Sequence, residues 1–146
     1  MIEQKNDAKA FMQQVKLLDM HINSKIEELN MLKAMTTKIT STLKQDMVFG
    51  GGGNQDKLGD AVSKIIDLEK EINESVDRFV DAKRDVGSVI ENVTNPDCVA
   101  VLYKRYFLYE RWEQIACELH CTFRHATRIH GEALKAVSEL LKKRCP

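Results

Sequence analysis

Two apolar seams of equal length, one on each side of a glycine cluster, set most of what this chain can fold into. The first runs Ala8, Phe11, Val15, Leu18, Ile22, Lys25, Leu29, Leu32, Thr36, Ile39 and Leu43, stepping in alternating threes and fours. That alternation keeps one narrow stripe on one side of a helix, as in a coiled coil. Only Lys25 and Thr36 depart from an apolar residue. The second seam runs Leu58, Ala61, Ile65, Leu68, Ile72, Ser75, Phe79, Ala82, Val86, Val89 and Val93 with the same rhythm. Between them lies FGGGGNQDK, Phe49 to Lys57. Successive glycines lose the most backbone entropy on ordering and supply no packing, so a flexible reversal is expected over 49–57. Helices of this length span about 50 Å at 1.5 Å per residue, and equal seams can cover each other end to end. An antiparallel hairpin within one chain is therefore expected, with pairing of the same seams between two chains as the competing arrangement. Met12, Met20, Met31 and Met35 suggest a methionine stripe, whose expected role is to fill gaps along the helix interface.

The hairpin ends at Asn95 and Pro96. Proline pushes the residue before it out of the helical region and suits the first position of a new helix. The sequence thus divides into a helical hairpin over 1–94 and a C-terminal domain over 95–146. In PDCVAVLYKRYFLYER, residues Val99, Val101, Leu102, Tyr106 and Leu108 supply the apolar face of a support helix. Tyr109, Glu110 and Arg111 make a short connection to Trp112, which is expected to plug the core.

From Trp112 the pattern is that of a helix-turn-helix. Ile115, Ala116 and Leu119 form the inner face of a short helix, and the small Ala116 allows close approach. Cys121 takes an apolar turn position. Thr122 offers its hydroxyl to the free amides that open the next helix. Ala126, Ile129 and Ala133 then recur at helical spacing, which turns Phe123, Arg124, His125, Thr127 and Arg128 outwards. His120 stands four residues after Ala116, where the backbone tends to positive φ and glycine is usual. Histidine is among the residues that tolerate that conformation.

The run VLYKRYFLYERWEQIACELHCTFRHATRIHGEAL, Val101 to Leu134, resembles region four of sigma-70-like factors, through its arginine-tyrosine pair, its WxxIA helix, its capped turn and its recognition helix ending in AL. The whole chain is similar to small phage and prophage regulators of late transcription of the ArpU and RinA types. The resemblance implies an all-α protein in a bacterial host cell, whose partner is double-stranded DNA and which acts in transcription, with RNA polymerase as a further partner. It places Thr122 at the helix cap, Phe123, Arg124, Thr127 and Arg128 on the outward face of the recognition helix, and Ala126 and Ile129 inside. Phe123 stands where polar side chains are usual, and an aromatic there could pack on a thymine methyl group.

Charge agrees with this in sign. The chain is balanced overall, yet from Pro96 onward nine basic residues face six acidic ones. A mild excess of this kind gains meaning only beside the motif. No apolar run approaches the roughly 18 residues that cross a bilayer, and MIEQKNDAKAF lacks the pattern of a signal sequence, so a cytoplasmic protein without membrane contact is expected. Cys98, Cys117, Cys121 and Cys145 are then expected as free thiols. Cys117, Cys121, His125 and His130 are irregularly spaced for zinc, and the expectation is no metal and no cofactor. No strand precedes the glycines and no GK[ST] follows them, which argues against a phosphate loop. A Cys/His nucleophile pair lacks an oxyanion loop. A non-enzymatic, sequence-specific DNA-binding regulator is expected, with homodimerisation through the hairpin open. The alternative is an oligomeric coiled-coil scaffold that grips DNA without sequence preference.

Overall fold

The computed structural model describes the backbone of residues 2–46 and 53–144, and the side chains of 3–42 and 56–144. Every regular element among the described residues is an α-helix: α1 (Ile2–Asp46), α2 (Gly53–Glu91), α3 (Pro96–Tyr106), α4 (Trp112–Glu118) and α5 (Phe123–Arg144). The fold is all-α, as the seams imply. The second helix starts earlier than the glycine cluster suggests. Helix α2 already begins at Gly53, so the Gly53–Lys57 part of the expected loop is helical, with Asp56 in the first turn complementing the exposed amides. Phe49 to Gly52 lie outside the described residues, as does the side chain of the seam residue Leu43.

The chain separates into two compact units that cut across both long helices. One comprises residues 19–78, the other residues 1–18 together with 79–146.

In the 19–78 unit the seams meet within one chain. Lys25 Nζ lies 3.4 Å from Glu71 and Lys33 Nζ lies 3.6 Å from Glu69, so partners descend along α2 as they ascend along α1. The pairing is antiparallel. Ile22, Ala61 and Leu68 are buried, and Leu29, Leu32, Ile65 and Ile72 are half-buried. The polar seam positions are accommodated individually. Lys25 reaches out to Glu28 and Glu71, Thr36 returns its hydroxyl proton to the Leu32 carbonyl, and buried Ser75 accepts from the Arg78 guanidinium. Of the expected methionine stripe, Met12 is buried in a core, as a gap-filling role implies, and the other three are not. Met20, Met31 and Met35 are exposed, because a two-helix layer covers one face of each helix and their positions fall on the other.

The second unit has a many-sided core. Ala8, Met12 and Val15 of α1 and Val86, Val89, Ile90 and Val93 of α2 join Cys98, Val101, Leu102 and Tyr106 of α3, Ile115 and Ala116 of α4, and Ala126, Ile129, Ala133, Leu134 and Val137 of α5. Helix α3 starts as its sequence dictates, with Pro96 in the first turn and the Asn95 side chain accepting from the Asp97 amide at 2.9 Å. Its buried face differs in one place. Leu108 is exposed, and Cys98 fills the core instead, where burial pushes its thiol pKa up. The link from α3 to α4 is fastened by an Arg105 hydrogen bond to the Glu110 carbonyl and by the Lys104–Glu118 ion pair.

Candidate functional site

The turn between α4 and α5 is fixed by backbone chemistry that can be read atom by atom. Helix α4 ends with Leu119 at its cap, His120 follows at φ 54°, and the His120 and Cys121 amides donate back to the carbonyls of Cys117 and Ala116. This is the left-handed termination usually given to glycine, with the next amide reaching the carbonyl five residues earlier. Thr122 then opens α5. Its Oγ1 accepts from the His125 amide at 3.1 Å, and its carbonyl accepts from the Ala126 amide. Half-buried Cys121 packs on the core beside them.

That turn sets the rotation of α5. Ala126, Ile129 and Ala133 face the core, while Arg124 and Arg128 stand exposed one turn apart, with Phe123 also exposed ahead of them. His125 is half-buried and accepts at Nδ1 from the Arg128 guanidinium at 2.9 Å, which orients that arginine across the outer face. Neither Arg124 nor Arg128 is in an ion pair among the described residues. Thr127 sits on the flank instead of the open face. It is half-buried, and its hydroxyl donates to the Arg124 carbonyl at 2.9 Å. At the far end of α5, Arg144 is tied to Asp85 of α2.

Beside Thr127 lies a polar cavity of about 230 Å³ that is not evident from the motif. It is lined by Lys9 and Gln13 of α1, Arg105 and Tyr106 of α3, Trp112 of α4, and Thr127 and His130 of α5. Trp112 is half-buried at its wall, with Arg105 over its ring at 4.8 Å and its edge on His130 at 4.7 Å between centroids. Burial, joined by the nearby Lys9 and Arg105 charges, lowers the His130 pKa to about 4. Burial likewise pushes the Tyr106 phenol up to about 12. At neutral pH both are uncharged, and their 2.6 Å contact between the Tyr106 hydroxyl and His130 Nε2 is a hydrogen bond between two neutral groups. His130 is thus engaged with Tyr106 and Trp112, Cys117 is exposed, and no three His, Cys, Asp or Glu side chains converge among the described residues. Lys9 and Gln13 lie outside the sequence motif, whereas Arg105 and Tyr106 are its arginine-tyrosine pair. The one signal available for α1 is the spacing of Lys5, Lys9, Gln13 and Lys16, which share a helix face.

Nearby acids serve the frame. Glu118 is held ionised by its hydrogen bond with Lys104, and Gln114 also donates to it. The Glu110 carboxyl has its pKa raised by burial and by its neighbour Glu118.

These features define an all-α chain in which a capped helical pair presents two arginines on an open face. The chain belongs to the family described as "Protein of unknown function (DUF1492)", which matches residues 38–138. No curated protein and no solved structure matches it. No helix among the described residues is long and apolar enough to cross a membrane.

Proposed function

We propose that this protein is a sequence-specific, double-stranded-DNA-binding transcriptional regulator, with the first turns of α5 entering the major groove. The observation that carries the reading is the exposed Arg124–Arg128 pair on the outer face of a helix whose entry is locked by His120 and Thr122. An arginine so placed can donate two parallel hydrogen bonds to guanine O6 and N7. Residues four apart on one helix side can enter a groove together. Phe123 adds an apolar contact for a thymine methyl, and His125 holds Arg128 in position. The resemblance to region four of sigma-70-like factors supports the same face, and promoter DNA of phage or prophage genes is the substrate it suggests.

The test is a binding titration of wild type, Arg124→Ala and Arg128→Ala against the best site found by selection and a scrambled duplex. Each variant is expected to lose about 1–3 kcal/mol of discrimination between the two. Lys142→Ala, at the distal end of α5, should weaken both duplexes alike. Unchanged preference in both arginine variants would mean that α5 is not the reader. Equal binding of all duplexes by wild type would favour the scaffold that grips DNA without reading it.

A further inference from the structure

We propose that the cavity between α1, α3, α4 and α5 is a phosphate-binding site, filled in the DNA complex by a backbone phosphate beside α5. The source of that phosphate rests on the DNA-binding reading; the site itself rests on its lining.

The first argument is charge. Lys9 and Arg105 both border the cavity, no carboxylate does, and neither cation is in an ion pair among the described residues. Two cations held together without a counter-ion favour an anion in the space they share. Their field is felt at His130, whose protonated form they oppose.

The second argument is donor geometry. Arg105 uses one nitrogen on the Glu110 carbonyl and sits over the Trp112 ring at 4.8 Å, so the rest of its planar fork is held in place before a ligand arrives. Lys9 and the Gln13 amide supply further N–H donors from the next two turns of α1. A cavity of about 230 Å³ holds a tetrahedral oxyanion with a few waters, each taking roughly 30 Å³.

The third argument is place. Thr127 forms one wall and lies between Arg124 and Arg128 in sequence, so an anion here sits on the flank of the helix assigned to the groove. Helix α1 continues the row. Lys5 Nζ lies 4.0 Å from where a Cβ on Gly131 would stand, and Lys16 lies over the Tyr109 ring. Between Lys5 and Lys16 the single acid, Asp7, is two residues from Lys5 and therefore round the other side of the helix. The N-terminal helix thus acts as a backbone clamp alongside the reading helix. Phosphate contacts of this type set register without carrying sequence information.

Trp112, the sole tryptophan, reports on the cavity directly. The experiment titrates the full chain, as wild type, Lys9→Gln and Gln13→Glu, with inorganic phosphate and with duplex DNA, reading Trp112 emission and DNA anisotropy over a salt series. Both substitutions fall on solvent-accessible positions of a long helix and leave the core untouched. For wild type, both ligands should shift Trp112 emission. Lys9→Gln should weaken every duplex alike by about tenfold, and lower the slope of log K against log salt by about 0.9. Gln13→Glu should abolish the phosphate response. A Lys9-dependent response to inorganic phosphate in a wild type that binds no duplex keeps the site, makes free phosphate its source and removes the DNA reading. Wild-type DNA affinity and salt slope in both variants, with Trp112 silent to phosphate, overturns the site while leaving the α5 reading to its own test.

Discussion

Two ways of burying apolar surface coexist in this chain. In the 19–78 unit two helices cover one stripe each, and large side chains such as Met31 and Ile66 stay 69% and 60% exposed. In the unit of residues 1–18 and 79–146, five helical segments contribute to one core, and Met12, Val101, Leu102, Ile115 and Val137 are fully buried. The difference is geometric. A two-layer contact encloses a side chain from one direction, whereas several elements enclose it from all. Seam residues in the former can relax into solvent when trimmed, but core residues in the latter leave a cavity.

The largest expected effect follows from that contrast. Leu102→Ala should destabilise its unit by about 3–5 kcal/mol, since a fully enclosed leucine leaves an unfilled void. Leu68→Ala, though buried in the seam, should cost nearer 2 kcal/mol, at the low end of the same range. Denaturant titration resolves the two, and amide exchange should show the 19–78 backbone opening before the α3–α5 backbone in wild type. Equal losses for both variants would break the contrast.

Acid should sharpen it. His130 has a folded pKa of about 4 against an ordinary value near 6.5, so the unfolded chain binds the extra proton in that window. Stability is therefore full above about pH 6.5 and falls as the pH drops towards 4, by about 2 kcal/mol once solvent screening is allowed for. No histidine stands among the seam residues. Exchange measured at pH 7 and pH 4.5 should show α3–α5 losing protection, and His130→Gln should flatten the response. A pH-independent wild type would remove the buried imidazole from the account.

The smallest effect concerns the α4–α5 turn. Thr122→Ala removes the hydroxyl that accepts from the His125 amide and should cost about 1 kcal/mol. His120→Gly should be stabilising or neutral, because glycine takes φ 54° without the Cβ penalty. A stabilised Thr122→Ala variant would show that the cap is not what opens α5.

What was legible beforehand follows the range of the interactions. Both seams could be read because helical periodicity is local, and each described seam residue is buried or half-buried. The Asn95–Pro96 start, the His120 conformation and the Thr122 cap were legible for the same reason: each is decided within five residues. Met12 fills the core as expected, but Met20, Met31 and Met35 do not, because periodicity gives a residue's angle on its helix and not how many neighbours that helix has. Likewise, the glycine cluster signals a break without fixing its last residue, and α2 starts at Gly53. The cavity was invisible because its walls come from Lys9, Arg105, Trp112 and His130, which no local pattern links. The expected outward Thr127 proved to face that cavity.

The discontinuous core has a kinetic consequence. Ala8, Met12 and Val15 must find partners among residues 86 to 137, which are synthesised later. Closing a loop of the length of residues 19–78 costs on the order of 4 kcal/mol in chain entropy. Zipping the antiparallel seams, one local turn after another, shortens the effective loop before the distant contact is made. The 19–78 seam is thus a guide for nucleation as well as a finished structure. Weakening it at Ile22 or Ile65 should slow assembly of a core that contains neither residue.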